Sequence, residues 1–463
     1  MNDNLKLSRK VLSSKETFMD QNVNLTKGDI TKSLIKLSLP LALTAFIQIT
    51  YAFVDMFFIG RLGSNALAGV GLAGFLIWIA NAITMVPKIG MGVLASQAFG
   101  RQNHKETIRV LNNGYILTLI LAIIYTITML IFGNAYASFF NLSEIASTYA
   151  REYIFILGLG ITFFLINPVL SQSFQSLGNS LTPFKINAIG LVANIILDPI
   201  LIFGWGPFPR MEVRGAALAT VLAQVIVTII FVIVIFRKNK LLKNSLIKLD
   251  YRRDWMGQIF KLGLPAALMN AYMAVVSVIL NKFMAGFGEA AVAAYSIGSQ
   301  LESITWNTTE GLQVGIAAMV GQNYGAELFA RVKKIIRKSF EIVFLIGAIS
   351  MVVLYIFRYP LIRIFVPNDP ETIELGALYL AILSVSQIFM AVEIGLNGAF
   401  NGMGDTKTPA LIAIILNTLR IPFSKVFMPM FGVAGVWTAM TFTSILKGSF
   451  NLGLILKKIK REL

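Results

Sequence analysis

Asp55 follows Tyr51 by four residues and Gln48 by seven, which puts one polar stripe on an otherwise apolar helix. Asn194 and Asp198 repeat the i, i+4 spacing in a second apolar stretch, and Thr220 brings a hydroxyl in a third. A charge inside hydrocarbon costs roughly 2.5–3.5 kcal/mol on insertion scales, so a carboxylate held there calls for a function. Two carboxylates with amide and hydroxyl neighbours offer oxygen-only ligation, suited to a proton or a hard cation such as Na⁺ rather than a soft transition metal. Asp55, Asn194, Asp198 and Thr220 are therefore the candidate proton or Na⁺ ligands, with Gln48 and Tyr51 in the same polar network. The chain has no Cys and a single His, His104, so thiolate nucleophiles and Cys-ligated metals are excluded.

Further ionisable residues fall in apolar stretches of the second half: Lys282, Glu302, Glu310, Glu393, Arg420, Lys425 and Lys447. Glu302, Glu310, Glu393 and Arg420 have two readings. One is internal ion pairing with Lys282, Arg420 and Lys425; the other is a second polar site facing a central cavity. Lys88 and Lys447 read as edge residues that snorkel to the interface.

The elements that carry these residues follow from composition. Hydrophobic residues make up 56% of 463 positions against 14% charged, with a mean hydropathy of +0.72. That is an integral membrane composition, and the long apolar runs read as helices rather than alternating strands. Twelve spans are expected, over 34–60, 66–98, 109–133, 149–176, 182–204 and 215–236, then 260–285, 291–323, 334–357, 374–400, 408–431 and 434–456.

The chain also repeats itself. Lys36-Leu37-Ser38-Leu39-Pro40 returns as Lys261-Leu262-Gly263-Leu264-Pro265, Gln97 and Gly100 return as Gln322 and Gly325, and Gly178 and Pro183 return as Gly404 and Pro409. Six spans per copy is an even number, so the fold class expected is an all-α membrane protein of two six-helix lobes related by a pseudo-two-fold axis along the membrane normal. The acids are not repeated: Asp55 aligns with Leu280.

The net charge of +17 is explained by topology. Most Lys and Arg fall in the tails and in loops on one side, whereas the other side holds Arg61, Arg151, Arg210, Arg214, Arg358 and Arg363. The positive-inside rule makes both termini cytoplasmic in a multi-pass cell-membrane protein, with contact to anionic lipid and no nucleic-acid role. The division expected is a tail over 1–33, a first lobe over 34–236, a charged linker over 237–259 long enough to let the lobes move, a second lobe over 260–456, and a basic tail over 457–463. Prolines 40, 87, 168, 199, 265, 360 and 422 predict bent helices, with Pro40 and Pro265 at equivalent places suited to hinges.

Phe53-Val54-Asp55-Met56, Ile59-Gly60-Arg61-Leu62-Gly63, Gln97-Ala98-Phe99-Gly100, Asn194-Ile195-Ile196-Leu197-Asp198-Pro199 and Gly215-Ala216-Ala217 together resemble the multidrug and toxic compound extrusion (MATE) transporters, from about residue 28 onward. The sequence is most similar to the DinF-like branch. That resemblance implies a proton or sodium site on Asp55, Asn194, Asp198 and Thr220, with bending of the first span near Pro40 coupled to protonation. The NorM-like branch carries acids in spans 7 and 10; span 7 here offers Asn270, Asn281 and Lys282 but no acid, and Glu393 is displaced by about a turn. The function expected is H⁺- or Na⁺-coupled export of amphipathic, cationic organic compounds and drugs by alternating access, in a monomer with no cofactor beyond the coupling ion. Two alternatives stand beside it, a lipid-linked precursor flippase and a polytopic membrane enzyme. The second lacks any acid-rich diphosphate motif, and a missing phosphate loop argues against an ATP-driven pump.

Overall fold

Long apolar runs leave the backbone no partner in lipid but itself, and helices are the outcome. In the computed structural model, which describes residues 24–140, 142–247 and 250–462, the chain forms fifteen helices and, among the described residues, no strand. The first copy carries α1 (Ile30–Gly60), α2 (Ser64–Gly100), α3 (His104–Phe139), α4 (Glu144–Ser176), α5 (Leu181–Phe203) and α6 (Glu212–Lys238). After the short α7 (Lys240–Ile247) the second copy carries α8 (Arg253–Ala285), α9 (Glu289–Gly325), α10 (Phe329–Ile356), α11 (Arg358–Arg363), α12 (Pro370–Ser384), α13 (Gln387–Gly402), α14 (Lys407–Phe431) and α15 (Val433–Glu462). Ten of these are long and apolar enough to cross a membrane, and α12 with α13, bent by 52° at their break, makes an eleventh span. α9 is the twelfth, 37 residues long like its counterpart α2 but richer in Glu, Ser and Thr.

The duplication is written into the turns. α2 and α9 each start after a glycine in the same left-handed backbone, Gly63 at φ 107° and Gly288 at φ 102°. Each ends in a turn whose non-glycine residue is also left-handed, Gln102 and Glu327, both at φ 58°. Close approach is shared as well: a Cβ at Gly215 would strike the Leu201 carbonyl, and one at Gly435 the Phe427 carbonyl. Small residues at such crossings let helices pack in lipid, where apolar burial between helices drives little.

Two compact units emerge, and their borders differ from the lobes expected. One holds Phe46–Phe260; the other holds Thr26–Ala45 and the chain from Lys261 onward. α1 is therefore shared, its first half packing in the second unit, where a Cβ at Gly311 or Gly315 would meet Ala42 or Ser38. The opening of α8 is exchanged the other way, with the Ile259 carbonyl against Gly90 in the first unit. Within the first unit α4 packs on α2, α3 and α6, and α5 on α6. Within the second unit α13 packs on α9, α10 and α15, and α14 on α15.

Two expectations about the tails need correction: residues 30–33 are already helical, and α15 runs to Glu462. Among the described residues one pair of helices forms a span bent beyond 40°, breaking at Val385–Ser386. Prolines 40, 87, 168, 199, 265 and 422 all lie inside continuous helices, and Pro360 lies in the short α11. The tail over residues 1–23 lies outside the described residues.

The third correction concerns the linker, which is docked on α3. The buried Asn112 donates to the Ser245 carbonyl at 3.0 Å and accepts from the Asp250 amide at 3.1 Å. Asn113, also buried, donates to the Asp250 carbonyl at 2.9 Å and accepts from the Arg252 amide at 2.8 Å. Arg109 adds an ion pair to Asp250 at 3.1 Å. Four backbone hydrogen bonds near 1 kcal/mol each hold this segment still. An Asn112→Ala/Asn113→Ala variant should be cut by trypsin at Arg252 about tenfold faster or more, as the local opening energy falls by a few kcal/mol; an unchanged cleavage rate would show that the asparagines do not hold the linker.

Candidate functional site

α1, α5 and α6 each bring one part of the first-unit site. The i, i+4 spacing on α5 sets Asn194 over Asp198, and the Asn194 amide donates to Asp198 Oδ1 at 3.3 Å. Pro199, next in sequence, has no N–H for the Ile195 carbonyl, which frees one more backbone oxygen on this helix. From α1, the Asp55 carboxyl lies close enough to Asp198 and Asn194 for each to act on it. From α6, Thr220 Oγ1 lies 3.3 Å from Asp55 Oδ2 and 2.9 Å from the Ala216 carbonyl, and its single proton serves one of them at a time.

Asn194 and Asp198 are wholly buried and Thr220 nearly so. Four oxygens in this region are buried without a partner: Asp55 Oδ1, Asn194 Oδ1, Asp198 Oδ2 and the Tyr51 hydroxyl, which sits against Gly190 on α5. Among the described residues neither carboxylate forms an ion pair; the groups acting on them are each other, Asn194 and Thr220. Oxygens with free lone pairs and no cation are the donor set a proton or hard monovalent cation completes.

Gln48 is not brought to this cluster, because its side chain is exposed on α1. Pro40 is buried inside an unbroken α1, with the Thr44 hydroxyl donating to its carbonyl at 2.8 Å. The change from one unit to the other comes five residues later, between Ala45 and Phe46.

The second-unit residues assemble differently. On α9, Glu302 accepts from the Tyr379 hydroxyl of α12 at 3.1 Å and from the Gln387 amide of α13 at 3.3 Å. Lys447 of α15 pairs with Glu393 of α13 at 3.0 Å, with 2% and 5% of the side chains exposed. Arg420 of α14 donates to the Thr443 and Ser444 hydroxyls, each at 3.0 Å. Lys447 is therefore an interior ion-pair partner rather than an edge residue, and the expected partners Lys282 and Lys425 are exposed. Glu310 is half-buried two turns along α9 from Glu302 and forms no ion pair among the described residues.

Sequence reasoning passed over Tyr153. It is buried on α4, close enough to Thr220, Asp55 and Asp198 to interact with them. No polar residue four positions away marks it, but the repeat does: Tyr153 returns as Tyr379, 226 residues on, where it holds Glu302. Gln387 was missed because a helix break, invisible in the hydropathy, delivers it to Glu302.

Comparison with known proteins fits this duplicated plan. The MatE family matches twice, over residues 40–200 and 265–426. The probable multidrug resistance protein NorM of Thermotoga maritima is 29% identical over 92% of this chain and 92% of its own length. The multidrug export protein MepA of Staphylococcus saprophyticus is 27% identical over 90% of this chain and 92% of its own. A solved outward-facing multidrug resistance MATE transporter of the MOP superfamily superposes with a TM-score of 0.88 at 21% identity, covering 96% of this chain and 98% of that one, a likeness of fold. The paired matches, each spanning one copy of the repeat, show that the chain belongs to the MatE family, the multidrug and toxic compound extrusion transporters its motifs resemble.

Proposed function

We propose that the protein is a secondary active multidrug exporter of the cell membrane, with both termini cytoplasmic, in which H⁺ or Na⁺ entering through the first-unit site drives amphipathic organic cations outward. The observation that carries this reading is the set of four unpartnered buried oxygens on Asp55, Asn194, Asp198 and Tyr51, with no basic residue to satisfy them. Two buried carboxyl groups this close are compatible when one of them carries a proton. Loss of that proton leaves two negative charges face to face, which is relieved either by a bound cation or by drawing α1 away from α5.

α1 then carries the signal. It is one continuous helix whose second half holds Asp55 in the first unit and whose first half packs in the second. An ion that favours one position of Asp55 against α5 therefore favours one position of the whole helix, which is the differential affinity coupling requires. Pro40 lies in the half that packs in the second unit, five residues before the Ala45–Phe46 border.

In proteoliposomes, Asp55→Asn and Asp198→Asn should each lower ion-driven efflux of a cationic dye by at least about tenfold, a coupling loss of about 1.4 kcal/mol or more. Efflux at the wild-type rate from either variant, under imposed pH and Na⁺ gradients in turn, sinks the proposal. Tyr153→Phe and Thr220→Val remove one hydroxyl each and leave both acids in place. Thr220→Val should raise the ion concentration for half-maximal efflux by about fivefold, the value of its hydrogen bond to Asp55 near 1 kcal/mol, and Tyr153→Phe should raise it by less; no change in that concentration would remove the residue concerned from the site.

A further inference from the structure

The repeat places the second unit's counterpart of the ion site on known residues. In the fifth span of each copy the offset is 226, as Gly178 and Gly404 show, so Asn194 corresponds to Arg420 and Asp198 to Ser424. Asp55 corresponds to Leu280, and Tyr153 to Tyr379. The second copy thus keeps the tyrosine, loses both acids, and has a guanidinium where the first copy has an amide. A position built for a cation in one copy is built for an anion in the other.

That guanidinium has no carboxylate. Its Nε and Nη2 are held by the Thr443 and Ser444 hydroxyls, and among the described residues it forms no ion pair, although Glu393 and Glu302 lie near enough to act on it. Among the described residues Nη1 has no hydrogen-bond partner. Glu302 mirrors this arrangement, being half-buried and held only by the neutral Tyr379 and Gln387. The other two charges have closed on each other as Lys447–Glu393. Opposite charges at membrane depth normally pair. Here neutral hydrogen bonds hold Arg420 to α15 and Glu302 to α12 and α13, the two form no ion pair among the described residues, and such a pair of opposite charges can be completed by a ligand that carries both.

We propose that Arg420 and Glu302 form a substrate subsite in the second unit for compounds bearing an anionic group, such as a carboxylate, beside their cationic group. Arg420 takes the anion in charge-assisted hydrogen bonds and Glu302 takes the ammonium. The proposal rests on the exporter reading for what happens to the bound compound, but the subsite is testable by binding alone.

The probe is one xanthene dye in two forms, the zwitterionic free acid and its cationic methyl ester, titrated by fluorescence anisotropy against purified protein in detergent. Arg420→Asn, which installs the residue the first copy carries, should lower the acid-to-ester affinity ratio about tenfold, whereas Arg420→Lys should lower it far less. Glu302→Gln should weaken both forms and leave their ratio unchanged. If Arg420→Asn does not fold, Thr443→Val/Ser444→Ala, which frees the guanidinium, should shift the ratio in the same direction. A ratio unchanged in folded Arg420→Asn, or in the double variant if that is the one that folds, overturns the subsite. A wild-type protein that binds the acid through Arg420 yet exports neither dye supports the subsite and overturns the exporter reading.

Discussion

A polar group without a partner is expensive in hydrocarbon, and the placement of this protein's charges follows from that cost. The second unit meets it by closing Lys447 on Glu393 and by surrounding Glu302 and Arg420 with neutral hydrogen-bonding groups. The first unit leaves it unmet. Among the described residues Asp55, Asn194, Asp198 and Tyr51 retain buried oxygens without a hydrogen-bond partner, which is why we propose that an ion completes them.

The same pressure explains how two copies of one fold diverged. Asn167 on α4 reaches Gln224 and Thr228 on α6 with neutral hydrogen bonds of 2.7 to 3.0 Å. Its counterpart, 226 residues on, is Glu393, and there the crossing to the last span is an ion pair with Lys447. The fourth span is continuous in the first copy and broken at Val385–Ser386 in the second, where the Ser384, Ser386 and Gln387 side chains take up the freed carbonyls. Helix crossings set by glycines persist in both copies, and the polar residues between them were free to change.

Much of this was legible in the sequence. Helical spacing placed Asp55 near Tyr51 and Asn194 over Asp198, because side chains four apart on a helix share a face whatever the tertiary fold. The repeat sets Gly63 opposite Gly288, and both hold the same left-handed backbone. What could not be read is what arrives from elsewhere in the chain. Lys447 looked like an edge residue because a span's apolar run does not reveal its depth, and Gln48 sits on the same stripe as Asp55 yet is exposed. The linker's charged composition suggested a tether, while two asparagines on α3 that bond its backbone carried no signal in a hydropathy profile.

The central claim is that Asp55 and Asp198 share one exchangeable ion. Infrared difference spectroscopy of the purified protein, titrated with acid and separately with Na⁺, reads the carboxyl groups directly. A single protonated-carboxyl band that appears with acid, is suppressed by Na⁺, and is lost in both Asp55→Asn and Asp198→Asn is the result predicted. Two bands that titrate independently, or one that survives either substitution, would contradict it.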